Sequence, residues 1–157
     1  MKKILMAAVA VAALGATPAY AADFAVSGTV QASCGAITGL PIAFGTIATG
    51  TDGSLTAGQS KSSASQSAYC NGANSTISVS HLALANGTGA APTGFTRTID
   101  FTTDVDFAGA HFTDGATQSL GAKTGSLVVS ANSLTASAKP LAGDYTGSIT
   151  VTVAPVA

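Results

Sequence analysis

The sequence predicts an all-β fold, an immunoglobulin-like β-sandwich stapled by one disulfide. Three observations carry this expectation. Beyond the first two dozen residues no stretch shows the 3.6-residue apolar period of a helix, whereas many short stretches alternate apolar with polar or small residues. Turn signals such as Asp52-Gly53, Asn71-Gly72 and Asp114-Gly115 separate these stretches at the spacing of a sandwich of seven or more short strands. The chain also holds a single pair of cysteines, Cys34 and Cys70, which allows one intramolecular bridge.

The amino terminus reads as an export signal. Met1-Lys2-Lys3 is a short basic head, Ile4 to Ala16 is apolar, and Ala19-Tyr20-Ala21 is a small-x-small cleavage site. A membrane-spanning helix needs about 20 apolar residues, and this run is shorter. The expected division is therefore a signal over residues 1–21 and one domain over residues 22–157, with no membrane span after cleavage. Export places the cysteines in an oxidising compartment, where a paired thiol count implies a disulfide. Closing a loop of about 37 residues is worth about 4 kcal/mol in the chain-entropy account.

Each element follows from its pattern. Phe24, Val26, Gly28, Val30, Ala32 and Cys34 alternate with polar or small residues and predict one long strand with a buried face. Leu40 to Ile47 predicts a second, short strand. Gly50 to Ser65 is rich in Gly, Ser and Thr and predicts a loop. Ser65 to Cys70 leads into the Asn71-Gly72 turn, and Ile77, Val79 and His81 share one face of the next strand. Residues 86–94 contain three glycines and a proline and predict a loop. Phe95 to Phe107 has the clearest period of two, with Ile99, Phe101, Val105 and Phe107 on one face and Asp100, Asp104 and Asp106 on the other. Ser126 to Ser130 and Leu134 to Ala138 predict two further strands. Tyr145, Gly147, Ile149, Val151 and Val153 alternate with Ser and Thr in a β-branched terminal strand.

Composition excludes several roles. Charged residues make up 8% of the chain, against about 25% in ordinary soluble proteins. Past the signal, Lys61, Arg97, Lys123 and Lys139 face seven aspartates, and there is no Glu or Trp. Neither a basic footprint for nucleic acid nor a polybasic patch for anionic lipid is present. The absence of Trp and scarcity of Tyr also argue against a sugar-binding face built from flat aromatic rings.

The chemistry-bearing residues point to structure rather than catalysis. No Gly-x-Ser-x-Gly elbow occurs, and neither His81 nor His111 lies in a metal-ligand spacing. No catalytic residue and no cofactor is expected. Asp100, Asp104 and Asp106 form the one acidic cluster and are weak candidates for calcium, which would need further oxygens from Asp114 and loop carbonyls. On a strand face, such charges more often serve solvation and discourage wrong pairing.

One resemblance joins these pieces. Gly28-Thr-Val-Gln-Ala-Ser-Cys34 is followed by Ile42-Ala-Phe-Gly-Thr-Ile47 and Cys70-Asn-Gly-Ala-Asn-Ser-Thr-Ile-Ser-Val79. Thr96-Arg-Thr-Ile99 and the ending Ala142-Gly-Asp-Tyr-Thr-Gly-Ser-Ile-Thr-Val-Thr-Val153 complete the order. This order resembles the spore coat U-like secreted domains, which include pilin subunits of archaic chaperone–usher systems. The resemblance implies a sandwich that lacks one strand. A periplasmic chaperone first fills the resulting groove, and then the amino-terminal segment of the next subunit does, as an usher assembles a surface fibre for adhesion or biofilm. It further implies that Phe24 and Val26 belong to the donated strand and that Tyr145, Ile149, Val151 and Val153 border the groove. Only Ala22 to Ser27 precede the expected first strand, a reach of about 20 Å, so the donor either extends into residues 28–32 or the domain completes its own fold. The alternative is thus a self-contained secreted or surface binding domain that does not polymerise.

Overall fold

The computed structural model describes residues 25–156. The expected signal and Phe24 lie outside them. Among the described residues there is no helix, and so none long and apolar enough to cross a membrane. The strands, in chain order, are β1 (Lys61–Ser62), β2 (Gln66–Cys70), β3 (Thr76–Ala85), β4 (Phe95–Thr96), β5 (Thr98–Phe107), β6 (Ala110–Thr113), β7 (Gln118–Ser119), β8 (Lys123–Thr135), β9 (Lys139–Pro140) and β10 (Thr146–Ala154).

Two antiparallel layers form the sandwich. In one, β8 pairs with β1 and β2 on one side and with β5 on the other, and β6 lies beyond β5. In the other, β3 pairs with β10 over most of its length and with β7 near its start. Strand β5 ties the layers together. Its first two residues pair with Ala85 and Leu84 of β3, and the rest of it pairs with β8. A short parallel pair, β4 with β9, closes one end.

The period of two in β5 is the backbone of the core. Ile99, Val105 and Phe107 are fully buried, Phe101 nearly so, and Thr98, Asp100 and Thr102 face solvent. Val105 and Phe107 pack with Ile77 and Val79 of β3, Leu127 of β8 and Phe112 of β6. A second cluster joins Ile99 and Phe101 to Ala131 and Leu134, flanked by Ile42, Phe44, Ile47 and Leu84. The β5–β6 hairpin turns on Ala108 and Gly109, whose φ values of 50° and 79° define a two-residue loop of the primed type. The Asp106 carboxylate accepts the Gly109 N–H at 2.8 Å.

The disulfide joins Cys34 to Cys70, with Cα atoms 4.1 Å apart. Residues 33–35 lie along the outer edge of β2 there: Gly35 N–H donates to Tyr69 O at 2.9 Å, and Asn71 N–H to Ser33 O at 3.0 Å.

Four expectations need correction. The long strand expected to end at Cys34 is not formed. Residues 25–33 carry no strand, residues 25–31 are all exposed, and Val26 and Val30 are 95% and 87% exposed. Apolar alternation records a segment suited to a sheet edge, but it does not say which edge; here only residues 33–35 reach one. Leu40 to Ile47 is likewise unpaired, although Ile42, Phe44 and Ile47 turn inward. Within the expected Gly50–Ser65 loop, Lys61–Ser62 forms β1. The two strands expected over residues 126–138 are one strand of 13 residues, β8. Between them Ser133 adopts φ 53°, beside a register shift opposite Asp100 and Thr102. That is a bulge, which bends a strand without ending it.

Candidate functional site

The terminal strand borders an open apolar groove of about 470 Å³. One wall is β10. Ile149 and Val151 turn inward there and remain half-buried, because β10 has a strand partner, β3, on one side only among the described residues. The opposite wall is the unpaired segment 37–44, which presents Ile37, Leu40, Ile42 and Phe44. Leu84, Phe101, Val129 and Ala131 make the floor.

Side-chain amides hold the unpaired segments where a ladder would otherwise do so. Gln66 accepts the Thr38 N–H and donates to Thr38 O, both at 2.9 Å. Gln59 does the same for Ala48, at 2.8 and 3.0 Å. Asn71 accepts the Ser33 N–H and donates to Gln31 O at 3.1 Å. Each amide mimics a peptide unit, with one acceptor and one donor on the same plane. Sequence reading missed these clamps. Their signal was a Gln or Asn beside a polar, Ser-rich stretch, which is indistinguishable from an ordinary turn residue.

The residues expected to border the groove divide in two. Ile149 and Val151 line it. Val153 shares their face but packs on the main core beyond the groove's end. Tyr145 precedes β10 and anchors it: the Tyr145 hydroxyl donates toward Leu141 O at 2.9 Å and Thr96 O at 3.3 Å. Val26 stands in the exposed arm, and Phe24 lies outside the described residues. The arm leaves the sandwich at the end of β2. Asn71 and Cys70 hold its root, and Asn74, just beyond, donates its N–H to Val156 O at 3.4 Å, next to the end of β10.

The three aspartates are not brought together. Asp100 accepts from His81 Nε2 at 2.9 Å, Asp104 pairs with His111 Nδ1 at 3.0 Å, and Asp106 holds the hairpin turn. No group of three His, Cys, Asp or Glu side chains among the described residues is placed to hold a metal ion. His81 Nδ1 also lies 2.8 Å from Asp114 Oδ2. Its hydrogen bond to Asp100 raises its pKa above the ordinary 6.5, with Asp114 adding to the effect against burial. The same bond holds Asp100 below the usual carboxylate value. His111 is raised by Asp104.

No family model, curated protein or solved structure matches this chain.

Proposed function

We propose that this chain is an exported structural subunit of a bacterial surface fibre, assembled when the groove beside β10 receives a strand donated by another copy. The reading follows the pilins of archaic chaperone–usher systems, with a periplasmic chaperone and an usher as transient partners and adhesion or biofilm as the role. It involves no catalysis.

The open edge of β10 carries the proposal. Nine residues long, about 30 Å at 3.3 Å per residue, β10 has no charge and no proline and is filled with Ile, Val and Thr. An inserted strand would bond to that edge through its backbone and place alternate side chains between Ile149 and Val151 on one side and Ile42 and Phe44 on the other. The arm suits the task. If cleavage follows Ala21, nine residues, 22–30, precede the clamp at Gln31, a reach of about 30 Å. That is longer than the six-residue extension expected from sequence, and it spans β10. Within it Val26 and Val30 alternate with small and polar residues and are almost wholly exposed.

A second reading, a self-contained domain, draws support from the position of the arm's root beside the end of β10. Such an arm would fold back into its own groove. The test is to express the chain in a periplasm with and without its cognate chaperone and to run unheated gels. Ladders that depend on the chaperone support the fibre reading. A stable monomer that never needs a chaperone refutes it.

A further inference from the structure

His81 stands where the two layers part. Strand β3 meets β5 only at Leu84 and Ala85, and from there β5 departs to β8. His81 bridges the opening. Its Nε2 lies 2.9 Å from an Asp100 carboxylate oxygen on β5, and its Nδ1 lies 2.8 Å from an Asp114 carboxylate oxygen in the turn after β6. The same turn is tied to β3 a second time, by Gly115 N–H to Val79 O at 3.2 Å. The imidazole also lies 4.7 Å, centroid to centroid, from Phe101, which forms part of the groove floor.

Only the imidazolium has a proton on both nitrogens. The neutral ring satisfies one carboxylate and turns a lone pair toward the other. The titratable groups facing the ring are Asp100 from β5 and Asp114 from the turn; β10 places Ile149 opposite it, and β5 adds the apolar Phe101. Asp100 is held a second time, by the Phe101 N–H at 2.9 Å. Asp114 is therefore the arm that yields.

We propose that His81 is a proton-operated pin beneath the groove. Protonated, it fixes the turn at Asp114 and steadies Phe101; deprotonated, it releases the turn and loosens the floor. The consequence for strand uptake rests on the reading of the groove as a strand acceptor. An incoming strand then seats more firmly at mildly acidic pH.

Amide hydrogen exchange on the mature chain from about pH 5 to 8, corrected for intrinsic rates, tests the pin. Gly115 protection should fall about tenfold, the weight of one charge-assisted hydrogen bond, as His81 titrates. His81→Gln and Asp114→Asn should abolish that step. A flat profile, or a step that survives in both variants, overturns the proposal. In parallel, a synthetic peptide of residues 22–33 is titrated into the chain by calorimetry, with several-fold weaker binding expected at the alkaline end. Equal affinity at both ends, beside a clear exchange step, overturns the link to the groove. No binding at any pH, beside a clear step, supports the pin and refutes the strand-acceptor reading instead.

Discussion

Replacing Val26 and Val30 together by serine should disable assembly and leave the sandwich intact. Both side chains are almost wholly exposed, at 95% and 87%, so docking into a groove would bury nearly their full surface. Full burial of a valine is worth about 1.5–3 kcal/mol. The pair therefore stands for about 3–6 kcal/mol, or roughly a hundred- to ten-thousandfold in affinity. Each single substitution should cost about ten- to a hundredfold. Neither residue belongs to either core cluster, so the melting temperature of the isolated domain should move within the effect of an ordinary surface change, about 0.5 kcal/mol. The assay pairs light scattering and unheated gels, which read assembly, with a thermal melt, which reads the fold. Assembly equal to that of the wild type would refute the donor assignment. A melt lowered by many degrees would show that the arm packs on its own domain.

Other residues make sharper statements about the fold. Replacing both cysteines by alanine should cost about 4 kcal/mol and lower the melting temperature by roughly 12–16 °C, checked by calorimetry under non-reducing conditions. Thr103 is 3% exposed on the apolar face of β5, and its hydroxyl has no partner among the described residues; Thr103→Val should stabilise by about 1–2 kcal/mol in denaturant titration. Ala108 at φ 50° holds a conformation that suits Asn better, so Ala108→Asn should raise the unfolding free energy by about 0.5–1 kcal/mol in the same titration. For His81→Gln the loss should depend on pH. A raised histidine contributes stability that is fully present below the unfolded value of 6.5 and lost as pH rises through the higher folded value. Asp100, lowered from 3.8, contributes above that value and loses its contribution as pH falls through the lowered one. The gap between variant and wild type should be widest near about pH 5 and should close toward alkaline pH; a gap that grows with pH would contradict the geometry.

Much of the fold was legible in the sequence because its signal is local. The alternation in β5 and the β-branched run in β10 each name their own buried face, and both are observed. Even cysteines in a chain with an export-like leader gave the disulfide. What escaped is information about partners. Gly28 to Ala32 and Leu40 to Ile47 alternate like strands, yet neither finds a strand edge in its own domain. The bulge at Ser133 left no glycine to mark it. Of the site, Ile149 and Val151 were readable as an inward face. The opposing wall was not, because it depends on Gln66 reaching back across 28 residues to Thr38.

The edges of the sheets sharpen the case for β10. An unpaired edge invites pairing with another chain, and proteins ordinarily blunt it with brevity, charge, proline or a covering segment. Here β1 and β7 are two residues long, and β1 carries Lys61. The edge of β2 is covered by residues 33–35 and locked by the disulfide. The four residues of β6 include His111, paired with Asp104. Only β10, among the described residues, is long, uncharged, free of proline and uncovered, and it is also the strand beside the apolar groove. A chain that protects each of its other edges and leaves this one open has its unprotected edge where an incoming strand would bury the most apolar surface. In that light the scarcity of charge across the chain has a physical use: a wall without charged side chains lets a neighbouring strand approach without the cost of desolvating a charge.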